Sequence, residues 1–132
     1  MRAAKDIEAF LKDPLGSYLT GPRWLVFADG PVSGMVVWES PTPEDSANVV
    51  RTLPASLSRG PHGYYIDARR LAQTIDPESF SLVMGEAGPT LPQYEQVERC
   101  AVVLPAGMGA AVLMGFFKLI ETPFEVRFST WS

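Results

Sequence analysis

The chain has 132 residues, 46% of them hydrophobic and 20% charged, with a formal net charge of −4 and a pI of about 4.9. This length fits one domain, residues 1–132, around one core. Eleven Lys and Arg scattered through an acidic chain argue against direct nucleic-acid binding, which needs clustered basic residues. A single cysteine, Cys100, excludes an intrachain disulfide and fits a reducing cytoplasm. The N-terminus, Met1 to Glu8, lacks the apolar region of a signal peptide, and the longest apolar run, Ala110 to Phe117, is too short to span a bilayer.

Ile7, Phe10 and Leu11 fall at helical spacing and predict a short amphipathic helix over 5–12, closed by Asp13-Pro14 because the residue before proline resists the α region. Trp24 to Ala28 reads as a buried strand. Asp29-Gly30-Pro31 and Ser33-Gly34 form its turn, and Met35 to Trp38 its hairpin partner. Thr42-Pro43-Glu44-Asp45 opens a helix: Thr42 can cap, Pro43 fits the first helical position, and the acids complement the dipole. Ala47, Val50 and Leu53 share its expected buried face, and Pro54 is expected to end it. Ser56 to Gly63 reads as a loop, Tyr64 to Asp67 as a strand, and Asp76-Pro77-Glu78 as a further helix start, with Phe80, Val83 and Met84 on one face. Cys100 to Leu104 has the continuous apolar character of a strand buried on both faces. Met108 to Glu121 is long and apolar enough for a buried helix, and Phe124 to Phe128 alternates as a half-exposed strand. Helices alternating with strands predict an α/β fold: a mixed sheet of about five strands with helices packed on it.

Little in the chain suggests catalysis. His62, the single histidine, falls in the expected loop without a second imidazole or a neighbouring thiol, which gives poor support to a metal site or a Cys/His nucleophile. Cys100 opens an apolar run, with Arg99 on the opposite side of the strand, and reads as a small core hydrophobe. Gly107-Met108-Gly109 follows a strand, but without a third glycine or a following acid at fingerprint spacing it reads as a tight turn rather than a phosphate cradle. Glu39, Glu44, Asp45, Asp76 and Glu78 lie near strand ends and helix starts, where capping accounts for most of them. Trp24, Trp38 and Tyr64 are aromatic residues that could line the pocket of a small-molecule-binding module or small enzyme, although core packing is the commoner use of such residues. No cofactor and no metal are expected.

The stretch Ile66-Asp67, a connection, then Asp76-Pro77-Glu78-Ser79 resembles the strand–Asp–loop–helix unit of anti-sigma-factor antagonist (STAS) domains. Where many of those domains carry a phosphorylated serine or threonine, this chain has Pro77 and Glu78, with Ser79 displaced. Asp13-Pro14-Leu15-Gly16-Ser17-Tyr18, Trp24 to Phe27, Gly34 to Trp38, Tyr65-Ile-Asp67-Ala-Arg69 and Gly115-Phe116 together resemble the STAS-like N-terminal domain of some bacterial AraC-type transcription regulators. In those regulators a helix-turn-helix module follows, so the resemblance implies either an excised regulatory domain or a stand-alone relative. It also implies a non-enzymatic, cytoplasmic interaction domain that works through a protein partner or self-association, or through a small-molecule effector. By the same resemblance the contact surface would comprise Asp67, Asp76, Glu78, Ser79 and Phe80.

Overall fold

The computed structural model describes residues 1–39, 41–57, 62–70, 97–105 and 125–131. Its frame is a single mixed sheet: β1 (Arg2–Ala3), β2 (Ser17–Thr20), β3 (Trp24–Asp29), β4 (Val32–Val37), β5 (His62–Asp67), β6 (Val97–Pro105) and β7 (Glu125–Trp131). Two helices are described, α1 (Ile7–Lys12) and α2 (Pro43–Leu57). The fold is α/β, and six full strands plus the two-residue β1 exceed the five expected. The extra pairing comes from β1 and β2, which are too short to stand out from turn-like sequence.

The strands lie side by side in chain order. β2, β3 and β4 form an antiparallel meander, whereas β4 to β7 run parallel. A parallel neighbour requires a crossover, and α2 lies within the one from β4 to β5.

The hairpin turn is tighter than the sequence suggested. Asp29 pairs with Val32, so Gly30-Pro31 alone makes the connection, and Gly30 takes φ +54. Positive φ at a two-residue turn is what glycine permits without steric cost. Ser33 and Gly34 therefore belong to β4 rather than to the turn. His62 likewise moves from the expected loop into β5, where it is buried at 2% exposure.

Thr42 and Asp45 cap α2 reciprocally. The Asp45 N–H donates to Thr42 Oγ1 at 3.2 Å, and the Thr42 N–H donates to Asp45 Oδ2 at 3.0 Å. Two of the helix's orphan donors are thereby satisfied. The helix does not stop at Pro54 but continues to Leu57. Leu53 is buried and Ala55 packs on the core, so burial on both sides of the proline offsets its missing N–H. The inward stripe is Val49, Thr52 and Leu53, one position away from the expected set: Ala47 is exposed and Val50 half-buried.

Paired residues share a face. Ser17, Leu19, Trp24, Val26, Ala28, Ser33, Tyr64, Ile66, Cys100 and Val102 are all buried on one face. Phe10 from α1 and Val49 from α2 join Leu19, Trp24 and Val26 in the core there. Burying a side chain the size of Phe10 or Val26 contributes about 1.5–3 kcal/mol, so this face dominates stability. Among the described residues, both helices pack on this face.

The opposite face differs. Ala101, central on β6 between β5 and β7, is exposed, as are Thr20, Asp29, Val32, Arg99 and Arg127 on the same side. β6 is therefore not buried on both faces at Ala101, contrary to what its apolar run suggested. The expected helices opened by Asp76 and spanning 108–121 lie outside the described residues.

Candidate functional site

Of the residues expected to contact a partner, Asp67 is described, and Asp76, Glu78, Ser79 and Phe80 lie outside the described residues. Asp67 closes β5 at only 4% exposure. Its carboxylate accepts hydrogen bonds from the Tyr65 hydroxyl at 3.1 Å and from the Arg69 N–H at 3.1 Å, and pairs with Arg69 Nε at 3.0 Å. A buried carboxylate requires such partners. Asp67 thus organises the end of its strand, and its oxygens are engaged from within the chain. Burial, and then the Asp67 charge and hydrogen bond, raise the Tyr65 phenol above its ordinary pKa, with Arg69 opposing them.

A second ionic cluster lies at the N-terminus of α2. Asp45, whose side chain is 5% exposed, pairs with Arg23 Nη1 at 3.1 Å, and Arg23 Nε lies 3.8 Å from Glu39. Burial acts to raise the Asp45 carboxyl, but the Thr42 N–H and hydroxyl together with Arg23 outweigh it and hold the pKa below its ordinary value. The acid is fixed in its charged form by the cap, so the cluster is structural.

The three expected pocket aromatics are not brought together. Trp24 and Tyr64 share the core face, but Trp24 is level with Val37 of β4 and Tyr64 with Ser33. Four residues along a strand separate them by about 13 Å, and two strand spacings add to that. Trp38, half-buried, follows β4 and donates its backbone N–H to the Arg23 carbonyl. Trp24 Nε1 is buried with no hydrogen-bond acceptor. Gly21 lies against this indole so closely that a Cβ there would overlap the ring.

Cys100 and Tyr64 are register neighbours inside the core. Burial pushes the Cys100 thiol up to about 12 and raises the Tyr64 phenol too, with the Cys100 charge adding to the latter. A thiol held protonated at neutral pH is a poor nucleophile. Among the described residues, no three of His, Cys, Asp and Glu come together as metal ligands, and no helix is long and apolar enough to cross a membrane.

What the sequence did not disclose is the open sheet face. Its middle row reads Tyr18, Phe27, Gly34, Tyr65, Ala101 and Arg127 across six strands. Tyr18, Phe27 and Tyr65 are half-buried, and the Phe27 ring lies so near Gly34 that a Cβ there would come within 2.9 Å of it. The row towards the strand ends carries Thr20, Leu25, Val36, Asp67 and Val103, and the opposite row carries Asp29, Val32, Gly63 and Arg99, with Glu125 at the next register position. Half-buried aromatic residues on β2, β3 and β5 thus share this face with the small, exposed Ala101 and with charged residues at its border. In the sequence, the alternating Leu25 and Phe27 give no sign that they face outward, because the whole Trp24–Ala28 run is apolar.

The chain matches no known family model, no curated protein and no solved structure.

Proposed function

We propose that this chain is a non-enzymatic regulatory or interaction domain of bacterial transcriptional regulation, acting in the cytoplasm through ligand- or partner-dependent association. The observation that carries this reading is the open sheet face, which half-buried Tyr18, Phe27 and Tyr65 share with exposed Ala101, Arg99 and Arg127. A mixed apolar and charged surface of this kind suits a contact that forms and dissolves. The resemblance to STAS domains and to the N-terminal domain of AraC-type regulators supplies the biological setting. Regulation then requires that the partner or effector bind one arrangement of the regulator more tightly than another, since equal affinities shift no population.

A second reading, a small-molecule-binding module, draws on the buried Trp24 Nε1, a donor without an acceptor. Such a group costs about 1–3 kcal/mol, and a ligand oxygen beside it would recover that energy. The separation of Trp24 from Tyr64 confines this reading to the surroundings of Trp24.

Native mass spectrometry of the purified chain over a range of concentrations tests both readings. A dimer supports association. A monomer that retains a few hundred daltons of extra mass supports the effector-binding reading. A bare monomer throughout eliminates self-association and a tightly held effector, and leaves a different protein as the required partner.

A further inference from the structure

Taking the association reading as its basis, we infer that the open sheet face docks a second copy of this chain, face to face, about a two-fold axis parallel to the strands and passing between β4 and β5. The pattern of residues on the face carries this. Rotation about that axis lays β3 of one copy over β6 of the other, and β2 over β7. Phe27 then lies opposite the partner copy's position 101, an exposed alanine, so that a large ring meets a small side chain. Tyr18 comes opposite position 127, an arginine, and a guanidinium over an aromatic ring is attractive. Leu25 faces position 103, a valine. At the border, Asp29 comes opposite position 99, an arginine, and the symmetry makes this contact twice.

The alternative axis, along the middle row and across the strands, would lay each strand over its own copy and bring Arg127 of β7 over its symmetry mate, like charge on like charge. Packing about the chosen axis keeps the strands of the two sheets aligned to within the usual twist of about 30°. Exposure at Thr20, Asp29, Val32, Arg99, Ala101 and Arg127 shows that the face is accessible across its width.

Size sets the strength of the contact. Six strands at about 4.8 Å spacing and three rows of side chains give a face roughly 24 Å wide and 15–20 Å deep. That is a few hundred Å2, below the roughly 800 Å2 per partner of a standard stable interface. The dimer is therefore weak and concentration-dependent, as a regulatory contact must be if it is to be switched.

The experiment is sedimentation equilibrium on the intact chain, on Asp29→Arg, on Arg99→Asp, and on the two variants mixed. Circular dichroism confirms that each is folded, which their exposed positions favour. Each variant alone places like charges opposite one another at both symmetry-related contacts and should weaken dimerisation at least about tenfold. The mixture restores both pairs with opposite charges and should recover association to within a few-fold of the unmodified chain. Ala101→Gln, which sets a longer side chain against the facing Phe27, should weaken the dimer without any change of charge.

A dimer indifferent to all three substitutions would overturn the assignment of this face while leaving association itself intact. A chain that remains monomeric at every concentration would overturn self-association altogether, and the interaction reading would then rest on a different partner. Dissociation by the single variants without recovery on mixing would overturn the proposed two-fold geometry.

Discussion

Gly34 shows how much one missing methyl group decides. A Cβ there would meet the Tyr65 carbonyl oxygen and come within 2.9 Å of the Phe27 ring. The carbonyl belongs to the adjacent strand and cannot move without disturbing the ladder. Gly34→Ala is therefore expected to destabilise the chain by about 1–3 kcal/mol through overpacking, and an unchanged urea midpoint would refute the close approach. Asp45 is the charged counterpart. Its folded pKa lies below the ordinary 3.8, so its contribution is complete above that value and is lost as pH falls through the folded pKa. Asp45→Ala removes a cap and a largely buried partner of Arg23, with an expected cost of about 1–2 kcal/mol at pH 7. Thermal unfolding from pH 7 downward checks the sign: the gap between the two proteins should narrow below pH 3.8, and a gap that stayed constant would show that the charge is irrelevant. Asp45 as an N-terminal acid of α2 was legible in the sequence, because capping is local. Arg23 as its partner was not, because 22 residues separate the two.

At the scale of elements, the strongly patterned pieces were readable. The Thr42–Asp45 start, the Trp24 strand and the buried Cys100 strand all appear where their residues put them, with boundaries shifted by a few positions. Val102 tests β6 directly. It is 0% exposed on a strand paired on both sides, with β5 and β7, and Val102→Asp would bury a charge without a partner. Loss of the native circular dichroism spectrum is expected; a soluble variant with that spectrum intact would disprove the interior, buried position of the strand. The misreadings share one cause. Pro54 as a helix end, Ser33-Gly34 as a turn and His62 as a loop residue all followed from local propensity. Each was overridden by burial: Leu53 and Ala55 hold the helix through Pro54, and the parallel partners of β4 and β5 extend those strands.

At the scale of the molecule, charge is the quantity most directly checked. Among the described residues of this chain of net charge −4, the open face carries Asp29 as well as Arg99 and Arg127 and presents no continuous basic track. A fluorescent single-stranded oligonucleotide should show no change in anisotropy at low ionic strength; binding that weakens with added salt would instead reassign the aromatic residues of this face to base stacking. The partner surface expected around Asp67 illustrates the division between sequence and structure. A strand ending in aspartate was evident from the residues alone, but its burial between Tyr65 and Arg69 was not. Composition and periodicity determined an α/β chain with its Thr42–Asp45 helix start, its inward Cys100 and outward Arg99, since each depends on neighbours within one or two turns of chain. The strand order, the covering of one sheet face by α1 and α2, and the exposure of the row from Tyr18 to Arg127 were decided only by tertiary structure. Which face of an apolar strand meets the helices depends on contacts between distant segments, and alternation along a single strand carries no record of them.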